Sequence, residues 1–135
     1  MVDNTTGAMP LRVTCAIIER LDHILIACRK DQNQAVAKWE FPGGKTEPGE
    51  TDELCIHREI NEELSIEIEI LEKLPVFIHF YPDKTIELVP FICRYIKGDV
   101  KLKDHWEAIW IKKEALKYFD LMEADRPIAE HYIRK

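Results

Sequence analysis

Three glutamates fall within five residues of one another in the stretch Arg58-Glu59-Ile60-Asn61-Glu62-Glu63-Leu64. On a helix, Glu59 is a surface neighbour of both Glu62 and Glu63, and each like-charged pair costs roughly 0.2–0.5 kcal/mol. Two arrangements accommodate that repulsion. One is a solvated face screened by water and salt. The other is a divalent cation, since a hard ion such as Mg²⁺ needs clustered oxygen ligands and turns the repulsion into ligation.

The elements around the cluster bear on the choice. Pro42, Gly43, Gly44, Pro48 and Gly49 crowd into eight positions, which predicts a loop with unusual backbone conformations within a turn region spanning 39–45 and beyond. Thr51 is a plausible helix N-cap, and Asp52 and Glu53 add negative charge where the helix dipole favours it. Ile56, Ile60 and Leu64 recur four apart and predict a core-facing stripe, with Glu59, Glu62 and Glu63 turned toward its edge or the solvent. A loop of this kind running into an acidic helix brings carbonyl and carboxylate oxygens together at the border of a core.

Residues 11–19 and 23–28 are apolar and β-branched and predict paired strands. Strands are also expected over 66–71, 76–81, 85–96 and 108–111, with a turn at Pro82-Asp83-Lys84. Short helices are expected over 114–119 and 126–133, the second with Pro127 in its first turn. Strands and helices alternate without a regular repeat, so the fold class is α/β, a mixed sheet flanked by helices.

At 135 residues with 46% hydrophobic composition, the expectation is one domain over 11–135 behind a flexible leader at 1–10. A net charge of −6 argues against duplex nucleic acid as the main partner. Cys15, Cys28, Cys55 and Cys93 are far apart, lack a C-x-x-C pair and lie in apolar runs, so they read as reduced core thiols of a cytoplasmic protein. No apolar run approaches a membrane span, and the first ten residues lack the pattern of a secretory signal.

From Gly43 to Ile66 the sequence GGKTEPGETDELCIHREINEELSI resembles the Nudix box: Gly, five residues, Glu, seven residues, Arg-Glu-aliphatic, one residue, Glu-Glu, one residue, Gly, aliphatic. Gly44, Glu50, Arg58, Glu59, Ile60, Glu62, Glu63 and Ile66 match. The chance of these eight at a given start is on the order of 10⁻⁸ to 10⁻⁹ from average residue frequencies. Ser65 departs from the pattern where the family has glycine, at a helix exit that commonly needs a left-handed residue. It therefore implies either a cost in stability or a different exit.

The resemblance implies a Nudix fold and a Mg²⁺-dependent hydrolase, with Mn²⁺ as a possible substitute. Glu62, Glu63 and the Gly43 carbonyl would hold metal, Glu59 would be a ligand or the base that activates water, and Glu50 would join the cluster. Arg58 would orient the glutamates, the alternative being an ordinary surface ion pair. Trp39 to Glu50, with Arg29 upstream and Ala124-Asp125-Arg126-Pro127 downstream, is similar to the MutT branch, whose members cleave oxidised or otherwise unwanted nucleoside triphosphates to monophosphate and pyrophosphate. By position, Arg29, Gln34, Glu40, Phe41 and Asp125 would contact nucleotide, Lys45 would meet a phosphate, and Asp104 would complete the metal site with Glu107 as fallback.

Asp125 is informative because the 8-oxoguanine-selective bacterial branch has asparagine there, whereas cytidine-acting relatives carry the Ala-Asp pair. The implied function is MutT-type hydrolysis of modified nucleotides such as 8-oxo-dGTP. The alternatives are a cytidine-preferring pyrophosphohydrolase acting on CTP, dCTP or 5-methyl-dCTP, and a non-catalytic nucleotide sensor. A monomer or homodimer is expected, with no polymeric nucleic acid or membrane partner.

Overall fold

Alternation along the first strand, β1 (Leu11–Arg20), decides the architecture. Cys15 and Ile17 enter one apolar cluster, Ala16 and Ile18 a second, and all four are buried, so β1 lies in a sheet covered on both faces. This computed structural model describes residues 10–29 and 38–135. The expected leader except Pro10, the loop over 31–38 except its last residue, and Gln34 lie outside the described residues.

β1 turns through Leu21, in the left-handed region at φ 58°, into the antiparallel strand β2 (His23–Arg29). Next come the short strands β3 (Trp39–Glu40) and β4 (Gly43–Lys45), then helix α1 (Asp52–Leu64). Strands β5 (Glu67–Lys73), β6 (Phe77–Tyr81), β7 (Lys84–Lys97) and β8 (His105–Lys112) follow. Two 3₁₀ segments, Lys113–Tyr118 and Glu123–Asp125, lead to helix α2 (Arg126–Ile133). β7 runs parallel to β1 from Leu11 opposite Ile86 to Glu19 opposite Arg94, while β5 and β6 share its other edge antiparallel. β8 lies antiparallel on β2, giving eight strands in one mixed sheet.

The inner edge of β1 is divided. Glu19 and Arg20 pair with β2, but Val13 to Cys15 pair with β4, and the Ala16 amide donates to the Pro42 carbonyl at 2.8 Å. β2 in turn pairs with β3 at Ala27 and Cys28. The segment 39–45 therefore fills a fork between β1 and β2, and its backbone forms the floor of a cleft.

α1 covers one face, burying Ile56, Ile60 and Leu64 with Ala16, Ile18 and Phe91. α2 and the 3₁₀ segments cover the other, where Ile128, Ala129 and Tyr132 join Ile17 and Ile26. The sheet between helices agrees with the sequence reading.

Three details differ from it. Residues 39–45 are two strands rather than a turn; two- and three-residue strands are too short to show an alternating pattern. The expected helix at 114–119 is a 3₁₀ segment, a form suited to so short a run. Of the three loop glycines only Gly49, at φ 79°, has a left-handed conformation. Gly43 is instead constrained by space, since a Cβ there would stand 2.0 Å from the Thr14 carbonyl oxygen. The four cysteines are free and buried. No helix among the described residues is long and apolar enough to cross a membrane.

Candidate active site

α1 begins where expected: the Thr51 hydroxyl accepts from the Leu54 amide at 3.1 Å, and Asp52 and Glu53 occupy the first turn. Two turns later Arg58 gathers the acidic cluster. Its Nε and Nη2 donate to the two oxygens of Glu50 at 2.6 and 2.9 Å, Nη1 donates to Glu59 at 2.8 Å and Glu62 at 3.2 Å, and Nη2 also reaches the Lys45 carbonyl at 3.0 Å. One guanidinium thus connects three glutamates to the glycine loop, and its bidentate grip holds the Glu50 carboxyl at about 2, below the usual range. The repulsion evident in the sequence is offset by a cation within the chain.

Gly44 is fitted to this arrangement. A Cβ at position 44 would lie 2.3 Å from the Glu59 carboxyl carbon and from Oε1, so the glutamate occupies the space a side chain would fill.

Glu63 lies apart from the Arg58 hub. It is 9% exposed, and its Oε2 has no hydrogen-bond partner among the described residues. Burial first, then the neighbouring Asp104 carboxyl, raises its pKa, while Arg29 and His105 act in the opposite direction. Among the described residues no three His, Cys, Asp or Glu side chains converge as a ready-made metal shell. The donor chemistry nevertheless fits a hard divalent cation: the groups are carboxylates, and Glu63, with one unpaired buried oxygen, has a second acid, Asp104, beside it.

The cleft floored by β3 and β4 is lined by Arg29, Glu40, Phe41, Lys45, Leu88 and Asp125, among others, and extends to Gly43 and Gly44. Asp125 is 7% exposed and its Oδ2 accepts from the Phe41 amide at 2.8 Å. Burial pushes its pKa up to about 7 against the effect of that hydrogen bond; Glu40 adds to the rise and Arg29 opposes it. Glu40 Oε2 receives Arg29 Nε at 2.7 Å and His105 Nε2 at 3.0 Å. The Phe41 ring belongs to the core, so its amide rather than its face is fixed at the Asp125 end. Lys45 is exposed beside the loop.

The sequence candidates therefore fall into an Arg58-centred acidic cluster, the Glu63 and Asp104 pair, and a cleft closed by Glu40 and Asp125. Glu107 is exposed on β8 opposite Cys28. Reading by motif spacing passed over His105, which stands in no ligand-like interval from another histidine. Its neighbour Asp104 was the only local signal.

The NUDIX domain family model matches residues 9–132, and the chain belongs to the Nudix hydrolase family. It is 32% identical over 123 residues to the CTP pyrophosphohydrolase of Escherichia coli (strain K12), with 91% of each chain covered. To the 8-oxo-dGTP diphosphatase of Proteus vulgaris it is 33% identical over 87 residues, covering 64% of this chain and 78% of that one. The solution structure of the E. coli ORF135 protein superposes with a TM-score of 0.83 at 30% identity, covering 98% of this chain and 94% of the other. Use of a divalent metal and action on nucleotides are general in the family.

Proposed function

We propose that the protein is a Mg²⁺-dependent nucleoside triphosphate pyrophosphohydrolase of the MutT type. The observation that carries the reading is the Glu59 carboxylate, fixed by Arg58 and lodged against Gly44, a residue that lines the same cleft as Glu40 and Asp125. On this reading the catalytic base and the base-reading pair serve one groove. Mg²⁺, held by Glu62 and Glu63 with Glu50, Asp104 and the Gly43 carbonyl as further oxygen donors, would neutralise charge on the triphosphate.

Within this reading, Glu59 takes a proton from water as its oxygen forms a bond to the β-phosphorus. The bond from that phosphorus to the oxygen bridging the α-phosphate breaks, releasing nucleoside monophosphate and pyrophosphate. Lys45 supplies positive charge beside the phosphates, and Arg58 keeps Glu59 in place. Hydrolysis in ¹⁸O-water tests the scheme: label belongs in pyrophosphate, and label in the monophosphate contradicts attack at the β-phosphorus.

The Ala124-Asp125 pair, which resembles that of cytidine-acting relatives, favours a cytidine nucleotide over 8-oxo-dGTP as the preferred substrate. With a pKa near 7 the carboxyl carries a proton in a large fraction of molecules and can donate, whereas an ionised aspartate only accepts. The cytosine edge offers an amino donor beside a ring-nitrogen acceptor, which a carboxylate at Glu40 and a carboxylic acid at Asp125 can satisfy together. The similarity to a CTP pyrophosphohydrolase points the same way. Relative kcat/KM on CTP, dCTP, 5-methyl-dCTP, dGTP and 8-oxo-dGTP decides the matter, and a strong 8-oxo-dGTP preference would reject the cytidine reading.

A further inference from the structure

His105 is 1% exposed, yet its ring is not explained by apolar packing. Nε2 faces the Glu40 Oε2 at 3.0 Å, and because a carboxylate only accepts, that nitrogen carries the proton. Nδ1 is buried without a partner among the described residues. An apolar side chain of similar size would avoid leaving that nitrogen unsatisfied.

The strand that carries His105 is shaped to aim it. Cys28 lies opposite Glu107, but the next pair along is Arg29 with His105, so β8 has one extra residue, Trp106, in a bulge. Two consecutive β8 residues, Trp106 and Glu107, consequently face solvent, Trp106 at 53% exposure, and His105 is turned inward. Bulges re-aim single side chains in this way. The contact made here is with Glu40 on β3, whose same oxygen also receives Arg29 Nε at 2.7 Å. Both ties fall on Oε2, and Oε1 takes neither of them.

We propose that His105 is a positioning residue for nucleobase selection: with Arg29 it clamps Oε2 of Glu40, so that Oε1 is held toward the cleft as an acceptor for the base. This rests on the hydrolase reading above. His105 itself touches no substrate and takes no part in the phosphorus chemistry. Its influence is on how well the base is bound and distinguished.

The test compares wild type, His105→Leu and His105→Gln in Mg²⁺ on CTP, dCTP, UTP, dGTP and 8-oxo-dGTP, measuring pyrophosphate release and thermal stability. His105→Leu should raise KM for the preferred base about tenfold, the low end of the effect of removing a group that orients a ligand-contacting residue, with kcat within about twofold. Its discrimination against the other bases should shrink by a similar factor. His105→Gln, which retains a donor, should recover much of the loss, and His105→Leu should add little in a Glu40→Gln background.

A His105→Leu enzyme with lower stability but unchanged KM and base preference would make the residue structural and overturn the proposal. Should that variant fail to fold, ring ¹⁵N chemical shifts of His105 in wild type and Glu40→Gln decide instead. The protonated Nε2 signal should move when the carboxylate is neutralised, and an unmoved signal overturns the clamp. Wild type inert on every nucleotide would reject the hydrolase reading and this inference with it, whereas an active wild type with an unaffected His105→Leu would reject the inference alone.

Discussion

The space beside Gly44 is taken by Glu59: a Cβ on the glycine would stand 2.3 Å from Oε1 of the glutamate. That contact is far inside van der Waals range, and the glutamate is also tied to Arg58 at 2.8 Å. Gly44→Ala must therefore push the carboxylate out of its place without altering its chemistry. We expect kcat to fall about 100-fold, the effect of roughly 1 Å of misplacement at a reacting group. Glu59→Gln, which keeps the shape and removes the basic oxygen, should lose about 10²–10⁴-fold. Pyrophosphate release measures both. Gly44→Ala turning over at the wild-type rate would mean that Glu59 need not lie where it does.

A second ion pair fastens the start of α1 to the sheet. Arg12 on β1 donates from Nε and Nη2 to the two oxygens of Asp52 at 2.9 and 2.7 Å, and Lys73 adds a contact at 3.1 Å. Hydrogen bonds from Arg12 hold the Asp52 pKa at about 2 despite partial burial. A depressed folded-state pKa means stability that is present above the unfolded value near 4 and lost as pH falls toward 2. With Arg12 partly exposed, we expect about 1–2 kcal/mol from this pair. Urea unfolding at pH 6, 4 and 3 should show that loss in wild type and a smaller one in Asp52→Asn. Parallel pH profiles would exclude Asp52 as the cause.

The residues that repeat at helical or box spacing were legible before any coordinates. Thr51 caps α1, Ile56, Ile60 and Leu64 are buried together, and Glu50, Arg58 and Glu59 meet, because a single helix and its adjoining loop determine all of these relations. Relations made across the sheet were not legible. β3 and β4 are too short to carry a pattern, and their place in the fork depends on β1 and β2, which are distant in sequence. His105 meets Glu40 across 65 positions and only because β8 bulges at Trp106. The glycines were read as conformational, whereas Gly43 and Gly44 answer to the Thr14 carbonyl and the Glu59 carboxyl, neighbours that no local sequence names.

Ser65 takes the left-handed conformation that the family's glycine would, with φ 60°, ψ 32° and its amide donating to the Asn61 carbonyl at 2.9 Å. The helix exit is therefore unchanged, and the departure appears as strain from a Cβ in that region. Ser65→Gly should raise stability by about 1 kcal/mol, partly offset by the greater freedom of glycine in the unfolded chain, and should leave kcat unaltered. Denaturant midpoints read the gain. A destabilised glycine variant would show that the serine side chain contributes more than its backbone costs.

Asp125 is the residue whose titration should connect stability with substrate choice. Burial raises its pKa from the usual aspartate range to about 7, so between pH 4 and 7 the folded protein holds a proton that the unfolded chain has lost. Stability from this group is full below pH 4 and declines as pH rises to 7, by on the order of 4 kcal/mol. Asp125→Asn does not titrate, can still accept from the Phe41 amide, and places a permanent donor in the cleft. Its unfolding free energy should lack that downward slope. In wild type, kcat/KM for a cytidine nucleotide should fall above pH 7 as the donor proton is lost; in the asparagine variant that fall should be absent from pH 6 to 8.5. A wild-type profile no steeper than that of the asparagine variant would mean that the Asp125 proton does not read the base.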